Sequence, residues 1–209
     1  MVSLRIDRVV TSGTFSLDGG TWDVDNNVWL IGDDTEVLIV DAAHDADAII
    51  EAVGNRNVGA VVCTHGHNDH VTVAPELAKR LDAQILLHPG DDPLWRMTHP
   101  YVDYQSLADI QRITVAGTDI EVLHTPGHSP GSVSLYLPEA TALFTGDTLF
   151  NGGPGATGRS FSDFGTIIES IRDRLLTLPE ETTVHTGHGD GTTIGTEKPA
   201  LADWIARGH

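Results

Sequence analysis

Three histidines and one aspartate lie within six residues of this chain, in the run HGHNDH at residues 65–70. Imidazole and carboxylate groups are good ligands for Zn²⁺ and also for iron and manganese ions. In an extended turn, the histidines at positions 65 and 67 point the same way, whereas Asp69 and His70 point toward a second position nearby. This spacing favours two metal ions a few ångströms apart, the arrangement used for hydrolysis by a bridging hydroxide.

Three further candidate ligands each follow an apolar stretch, in loops rich in glycine. His128 lies in TPGHSPGS at 125–132, Asp147 ends LFTGD at 143–147, and His188 lies in VHTGHG at 184–189. A rigid sheet positions ligands on loops at strand ends, and glycine lets the backbone approach an ion closely. Together with the run at 65–70, these residues predict a single metal centre.

The length and the net charge of the chain limit the classes of protein to which it can belong. The 209 residues, with 40% hydrophobic and 20% charged side chains, predict one globular domain spanning residues 1–209. The net charge of −18, from 12 Lys and Arg against 30 Asp and Glu, leaves no basic cluster for a nucleic acid. We therefore expect a small-molecule substrate, and the oligomeric state stays open.

The chain has no apolar run long enough to span a membrane and no signal-peptide pattern at its start. Its one cysteine, Cys63, cannot form an internal disulfide. A cytoplasmic location is therefore the default expectation. Because Cys63 follows a buried apolar stretch, we expect a structural thiol rather than a nucleophile.

Strand and helix patterns occur in two successive sets, which predict two sheets with helices outside them. The first set has strands at 27–31, 37–40, 60–63 and 84–87 and helices at 46–53, capped by Asp45 and ended by Gly54, and at 72–81. The second set has strands at 112–115, 120–124, 132–137, 142–144 and 183–186 and helices at 163–176 and 197–206.

Residues 88–109 separate the two sets and contain three prolines. This composition predicts an irregular or mobile segment. Its large side chains are candidates for the wall of a substrate pocket, with ordinary packing as the alternative: Trp95, Met97, Tyr101 and Tyr104.

The motifs resemble the metallo-β-lactamase superfamily over nearly the whole chain. The matching segments are THGHNDH at 64–70, TPGHSPG at 125–131, FTGDTL at 144–149 and GHG at 187–189. The resemblance implies an α/β fold of four layers, an αββα sandwich, with the metal centre at one edge. It also implies that Asp147 bridges two ions, the first bound by His65, His67 and His128 and the second by Asp69, His70 and His188.

Within that superfamily, the segment HTPGHSPGS at 124–132 is similar to glyoxalase II, the hydroxyacylglutathione hydrolases. The segments TLF at 148–150, GRSF at 158–161 and TGHGDGTTIG at 186–195 support this similarity. It implies a binuclear hydrolase that cleaves a thioester by a metal-bridged hydroxide, with Asp69 orienting the hydroxide. The expected cofactors are two divalent ions, zinc first, with iron or manganese as alternatives.

The chain departs from glyoxalase II in three places. It ends soon after Lys198, without the helical extension that grips glutathione in the longer enzymes. The segment DAAH at 41–44 replaces the usual Asp-Pro-Gly, and residues 151–157 differ from the shorter loop expected there. These departures leave the metal ligands unchanged but leave the thiol carrier and the acyl group open.

Five further polar residues carry weaker predictions. Arg159 is a candidate for binding a substrate carboxylate, because a guanidinium binds carboxylates bidentately, with a structural ion pair as the alternative. His44 is a candidate for substrate contact or for supporting a ligand, and Asp41 for a hydrogen bond to a ligand imidazole. His124 and His185 are expected to pack or to form hydrogen bonds rather than to bind metal.

Other functions remain as alternatives. A persulfide dioxygenase-like oxidoreductase uses one iron held by two His and one Asp, and the presence of Asp69 and His70 argues against it. A lactonase is the next alternative, and an antibiotic hydrolase is disfavoured by the missing secretion signal. Nuclease members of the superfamily carry large inserted domains and basic surfaces, and this sequence shows neither feature. The non-enzymatic alternative is a metal-binding scaffold.

Overall fold

Two six-stranded mixed sheets pack face to face in the computed structural model, which describes residues 4–208. Helices cover the outer face of each sheet, so that the layers run helix, sheet, sheet, helix. This architecture confirms the predicted αββα sandwich.

The first sheet follows chain order. Its strands are β1 (Arg5–Leu17), β2 (Gly20–Gly32), β3 (Glu36–Val40), β4 (Asn57–Val62), β5 (Gln84–Leu87) and β6 (Gln105–Ser106). The first three strands are antiparallel, and β3 to β6 are parallel. The carboxyl ends of β3 and β4 therefore lie at the same edge of the sheet.

The later strands form the second sheet and a small hairpin. They are β7 (Arg112–Val115), β8 (Thr118–His124), β9 (Val133–Leu137), β10 (Ala142–Gly146), β11 (Leu149–Phe150), β12 (Gly153–Pro154), β13 (Thr183–Thr186) and β14 (Thr192–Thr193). The second sheet has the order β14-β13-β10-β9-β8-β7, whereas β11 and β12 pair only with each other. Only the β10–β13 pair is parallel among these described strands.

Seven α-helices complete the described part of the chain. They are α1 (Ala46–Val53), α2 (Asn68–Val71), α3 (Ala74–Leu81), α4 (Asp92–Thr98), α5 (Phe164–Ser170), α6 (Ile194–Glu197) and α7 (Leu201–Arg207). A π-helical turn at Ile171–Leu175 prolongs α5. Between residues 4 and 208, no helix is long and apolar enough to cross a membrane.

Alternation along the central strands assigns each side chain to a layer, because successive residues of a strand face opposite sides of the sheet. In β3, Val37 and Ile39 pack under the helices, whereas Leu38 and Val40 face the second sheet. In β10, Leu143 faces the outer helices. These strands are apolar on both faces because both faces are covered.

The predicted elements match the structure closely in the interior. Helix α1 has the predicted bounds, and the Asp45 side chain accepts a hydrogen bond from Ala48 N at 3.0 Å. The predicted helix at 72–81 is wrong at its start, because α2 precedes it and α3 begins only at Ala74. The terminal helix at 197–206 is divided into α6 and α7, with Pro199 in the 3₁₀ turn between them.

The prediction missed the long hairpin at the start of the chain. Strand β1 was not predicted, and the strand expected at 27–31 is only the end of β2. The turn between β1 and β2 is formed by Asp18 and Gly19, which both have positive φ, at 52° and 78°. An Asp-Gly pair is favoured in such two-residue hairpin turns, so a local signal was present.

The predicted irregular segment at 88–109 is largely ordered. It contains a 3₁₀ turn at Pro89–Asp91, helix α4 and strand β6. Two of its prolines stand in the first turns of helices, where a missing N–H costs no hydrogen bond. Trp95 is fully buried in the layer between helices and first sheet.

Candidate metal centre

The candidate ligands all follow the carboxyl ends of strands at one edge of the sandwich. Residues 65–70 follow β4, and the loop carrying His128 follows β8. Asp147 directly follows β10, and His188 follows β13, which is parallel to β10. The two sheets therefore deliver the ligands of distant sequence segments to one place.

Three histidines form a first ligand group. Nδ1 of His67 lies 3.0 Å from Nε2 of His65 and 3.0 Å from Nε2 of His128. All three side chains are buried. Since these nitrogens converge on one point from three directions, they are arranged to bind a common atom.

A second group lies beside the first and consists of Asp69, His70 and His188. Nε2 of His70 lies 3.1 Å from Nε2 of His188. Oδ2 of Asp69 lies 3.3 Å from the same His188 nitrogen and 3.5 Å from the His70 nitrogen. This group has the composition expected from the motifs.

Asp147 lies between the two groups. Its Oδ1 lies 3.3 Å from Nε2 of His70, in the second group. Its Oδ2 lies 3.6 Å from Nε2 of His128, in the first group, and 3.4 Å from that of His188. One carboxylate thus faces both groups, which is the position that a bridging ligand requires.

The outward nitrogens of three ligand imidazoles are held by acceptors. Nδ1 of His70 donates to Oδ2 of Asp41 at 2.8 Å. Nδ1 of His128 donates to the Ala156 carbonyl at 2.9 Å, and Nδ1 of His188 donates to the Asp25 carbonyl at 2.7 Å. Because these oxygens can only accept, the neutral form of each ring carries its hydrogen on Nδ1 and has its lone pair on Nε2, which faces the centre.

The residues present fit divalent metal ions. Oδ1 of Asp69 and Oδ1 of Asp147 are buried without a hydrogen-bond partner in the described part of the chain. A buried carboxylate oxygen without a partner is costly unless a cation neutralises it. Room for ions also depends on Gly187, because a Cβ there would lie 2.3 Å from Oδ1 of Asp147.

The two ligand groups differ in the direction in which the surroundings shift the pKa of their histidines. Burial lowers the pKa of His67 to about 3, so its ring is neutral and offers a lone pair at neutral pH. Burial also opposes protonation of His188, but Asp147 and Asp69 outweigh it and raise the pKa of His188 to about 10. The carboxylates therefore favour a positive charge at the second group.

An open cavity of about 240 Å³ lies against both groups. Its lining residues are Phe15, Trp22, Val24, His67, Asp69, His128, Asp147, Ala156, Arg159, Ser160, Ser162 and His188. Aromatic side chains from the unpredicted β1–β2 hairpin thus form a wall beside the ligand groups, and the Phe15 ring lies 5.1 Å from that of His67. Arg159, a predicted substrate contact, lines this cavity.

The pocket wall predicted from residues 88–109 is wrong. None of Trp95, Met97, Tyr101 and Tyr104 lines this cavity. Trp95 is buried in the core, because α4 directs it toward the first sheet. Met97 and Tyr101 are instead exposed on the surface, with exposed fractions of 61% and 94%.

Comparison with known proteins places the chain in a family of metal-dependent proteins, in agreement with the geometry of the ligand groups. The family model described as the metallo-beta-lactamase superfamily matches residues 21–188. The chain belongs to this superfamily. A relative from Haemophilus influenzae, hydroxyacylglutathione hydrolase GloC, is 33% identical over 191 residues, which cover 82% of this chain and 89% of the relative.

Solved structures of the superfamily share the fold. BLEG-1, a B3 metallo-beta-lactamase, has a TM-score of 0.75 at 29% identity and covers 90% of this chain and 97% of its own. TTHA1623 in a di-iron-bound form has a TM-score of 0.77 at 32% identity and covers 84% and 93%. ETHE1 from Myxococcus xanthus has a TM-score of 0.73 at 26% identity and covers 93% and 85%. These three structures share one fold but have different names. The fold alone therefore does not assign a particular reaction to this chain.

His44 lies behind the ligands and not in the cavity wall. The Asn26 amide nitrogen donates to Oδ2 of Asp69 at 3.1 Å, and the Asn26 oxygen accepts from Nε2 of His44 at 2.8 Å. Asn26 is fully buried and was missed from the sequence. Its only sequence signal is a polar pair, Asn26 and Asn27, directly before the apolar end of β2.

Asp91 is a second residue that sequence reasoning missed. Its buried carboxylate accepts hydrogen bonds from Gly66 N at 2.7 Å, Ser129 Oγ at 2.6 Å and Gly131 N at 2.5 Å. It therefore joins the loop of His65 and His67 to the loop that carries His128. Nothing in the sequence around Asp91 indicates this long-range role.

Two other histidines have the structural roles predicted for them. Nε2 of His124 donates to the Pro130 carbonyl at 2.9 Å. His185 packs between Trp29 and Phe144, with ring centroids 4.5 Å and 4.8 Å away. Neither residue belongs to a ligand group within residues 4–208.

Proposed function

We propose that this chain is a binuclear metallohydrolase that cleaves thioesters in the manner of glyoxalase II. The observation that carries the proposal is the position of Asp147 between two complete ligand groups at a cavity. The similarity to a hydroxyacylglutathione hydrolase of Haemophilus influenzae supports the thioester part.

In this proposal the first ion is held by His65, His67 and His128, and the second by Asp69, His70 and His188. Asp147 contributes to both sites. Zinc suits this set of nitrogen and oxygen donors, as do iron and manganese. A di-iron neighbour in the superfamily supports testing iron beside zinc.

Two bound divalent ions would supply an activated water as nucleophile near neutral pH and would polarise the acyl carbonyl. Asp69 is proposed to orient that nucleophile through Oδ1, which has no hydrogen-bond partner in residues 4–208, while Oδ2 faces His188. A thiolate is a stable leaving group, so cleavage of the C–S bond needs no strong general acid.

The substrate contacts are proposed from the cavity lining. Arg159 faces the cavity and is proposed to bind an anionic group of the substrate. His44 is proposed to support Asp69 through Asn26 rather than to touch the substrate. Cys63 is not a nucleophile in this account, because it is fully buried and burial raises the pKa of its thiol well above the usual value.

A persulfide dioxygenase-like reaction is the second candidate, favoured by the structural likeness to ETHE1. Such a reaction needs one iron, whereas a second ligand group containing Asp69 and His70 has no role in it. A lactonase stays as a further enzymatic alternative. A metal-binding scaffold would leave the cavity beside the ligand groups without a purpose.

Metal analysis and substrate assays separate these candidates. We expect about two ions per purified chain and cleavage of thioesters such as S-lactoylglutathione by the zinc-loaded protein. One iron per chain, with oxygen consumption on glutathione persulfide, would instead support the dioxygenase. A lactone panel and a β-lactam panel serve as counter-screens, and the absence of thioester cleavage at full metal loading would overturn the proposal.

The proposal also includes the setting of the reaction. The substrate is a small molecule rather than a nucleic acid, since the chain has a net charge of −18. A cytoplasmic location and a single domain over residues 1–209 are parts of the same proposal. Fractionation of cells that produce the chain would test the location.

A further inference from the structure

Asn27 of β2 donates three hydrogen bonds to the loop that carries His188. Its backbone N–H donates to the Gly187 carbonyl at 2.7 Å, and its side-chain amide donates to the carbonyls of Thr186 and Gly189, both at 2.9 Å. The pairing of β3 with β2 begins beyond this residue, so the N–H is available to the loop. A strand of the first sheet therefore holds a loop that follows a strand of the second sheet.

The Asn27 side chain is fixed in this orientation by its neighbours. It is buried, and its Oδ1 accepts a hydrogen bond from Nε of Arg8 at 2.8 Å. Because a guanidinium can only donate, this contact leaves the amide nitrogen of Asn27 to face the loop. The Arg8 guanidinium also donates to the Gly189 carbonyl at 2.9 Å, and the Trp29 indole N–H donates to the Thr186 carbonyl at 3.0 Å. Asn27 is therefore the centre of a small network that attaches the loop to β2.

The same short segment of β2 contacts both Asp69 and His188. The Asp25 carbonyl accepts from Nδ1 of His188 at 2.7 Å, and the Asn26 amide donates to Oδ2 of Asp69 at 3.1 Å. Asp69 follows a strand of the first sheet, whereas His188 follows a strand of the second. The relative position of these two ligands therefore depends on how firmly Asn27 holds the loop against β2.

The first ligand group is connected in a different way. Its two loops are joined by the buried carboxylate of Asp91, and within residues 4–208 Asn27 forms no hydrogen bond with either of them. The loop held by Asn27 has one further attachment, from Gly187 N to the Gly146 carbonyl at 2.8 Å. A change at Asn27 should therefore let this loop shift without coming free, and it should spare the first group.

We infer that Asn27 is a positioning residue that sets the affinity of the second ligand group for a metal ion, independently of the first group. The inference rests on the proposed function, because it concerns a centre of two ions. Without the Asn27 amide, two loop carbonyls each lose one of their donors. Nε2 of His188, which lies 3.3 Å from Oδ2 of Asp69, then loses its fixed position. Metal affinity depends on such support of the ligands.

Cadmium NMR tests the inference, because each bound Cd²⁺ ion gives its own resonance. The metal-stripped chain is titrated with isotope-labelled Cd²⁺ in competition with a chelator, and the resonance that His188→Ala abolishes identifies the second site. In Asn27→Ala, we expect the dissociation constant of this site to rise about tenfold to a hundredfold. The dissociation constant of the first site should stay within about twofold of that of the parent.

A matched variant separates positioning from a general loss of stability. The buried Arg56 guanidinium donates to the carbonyls of Ala52 and Val53, just before β4 begins and at the opposite end of this strand from residues 65–70. Arg56→Met should therefore lower the stability of the chain and leave both metal affinities unchanged. If it weakened the second site as much as Asn27→Ala does, the inference would be overturned.

A second variant tests the network without changing Asn27. Trp29→Phe keeps an aromatic ring but removes one donor to the Thr186 carbonyl, so we expect a smaller rise in the same dissociation constant. An equal change at both sites in Asn27→Ala, or no change at either site, would contradict the positioning role. If Asn27→Ala does not fold, an unchanged second site in Trp29→Phe would contradict it instead.

Thioester assays separate this inference from the proposed function. If Asn27→Ala weakens the second site alone while the parent with two bound ions cleaves no thioester, the proposed function fails and the positioning role stands. If the parent cleaves thioesters but Asn27→Ala changes both sites equally or neither, the positioning role fails alone.

Discussion

Asp41 accepts a hydrogen bond from Nδ1 of His70, with 2.8 Å between its Oδ2 and the ring nitrogen. The Thr64 hydroxyl donates to the same carboxylate and lies 3.1 Å from Nδ1 of His65. One buried carboxylate therefore orients an imidazole in each ligand group, directly for His70 and through Thr64 for His65. This is the contact to a ligand imidazole that the sequence predicted for Asp41.

Replacing Asp41 by Asn tests this orientation. Asn tolerates the left-handed backbone at this position, where φ is 64°, but it supplies only a neutral acceptor. We expect metal affinity to fall about tenfold to a hundredfold, as measured by competition with a chelator. Asp47→Asn, at an exposed residue paired with Arg80, is the matched control. Unchanged affinity in Asp41→Asn would contradict the proposed role.

Replacing Asp147 by Ala tests the bridge. Both ligand groups lose a carboxylate, so we expect the metal content to fall below two ions per chain. Thioester cleavage should fall about a hundredfold or more, because each ion is expected to contribute several kcal/mol to catalysis. Elemental analysis and initial rates measure the two effects. Intact cleavage in Asp147→Ala would show that the bridging role is wrong.

Asp91 is predicted to stabilise the first ligand group without touching it. In Asp91→Ala the buried N–H groups of Gly66 and Gly131 and the hydroxyl of Ser129 lose their acceptor. We expect a loss of about 3 kcal/mol in the free energy of unfolding, measured by urea titration. The neighbouring Asp92→Ala, at a half-buried helix residue whose carboxylate pairs with Arg96, should cost less than about 1 kcal/mol. Equal effects of the two substitutions would refute this role.

His185 makes folding depend on pH. Burial lowers its pKa to about 4 in the folded chain, whereas the unfolded chain restores about 6.5. As pH falls, the unfolded state takes up this proton first, so the contribution of the neutral ring to stability is complete above about pH 6.5 and shrinks toward pH 4.

His185→Phe keeps an aromatic ring between Trp29 and Phe144 and removes the titration. Relative to the parent, the variant should gain up to about 3 kcal/mol in unfolding free energy between pH 7 and pH 4. Urea titrations across this pH range measure the difference. A difference between variant and parent that does not change with pH would exclude His185 as the cause.

The clustering of the candidate ligands and the layered fold were predictable because their signals are local. Residues 65–70, His128, Asp147 and His188 each stand in a short motif directly after an apolar strand. Buried strands such as β4 and amphipathic helices such as α1 also reveal themselves within a few residues. The structure brings these segments together at one edge because β4, β8, β10 and β13 end there.

The cavity wall was not predictable in the same way. Phe15 and Trp22 lie on strands whose outward positions are polar and exposed, so that no buried run marks them. Their stacking with Arg159 depends on how a hairpin meets a loop more than a hundred residues later. The role of Asp91 could not be predicted for the same reason, because its three hydrogen-bond donors come from loops that follow strands of two different sheets.

The most direct test of the account is a titration of metal-stripped protein with Zn²⁺, followed by initial rates of thioester cleavage at each step. We predict that the rate saturates at two equivalents per chain and that Asp147→Ala removes this dependence. Full activity at one equivalent, or no cleavage of any thioester with two ions bound, would contradict the account.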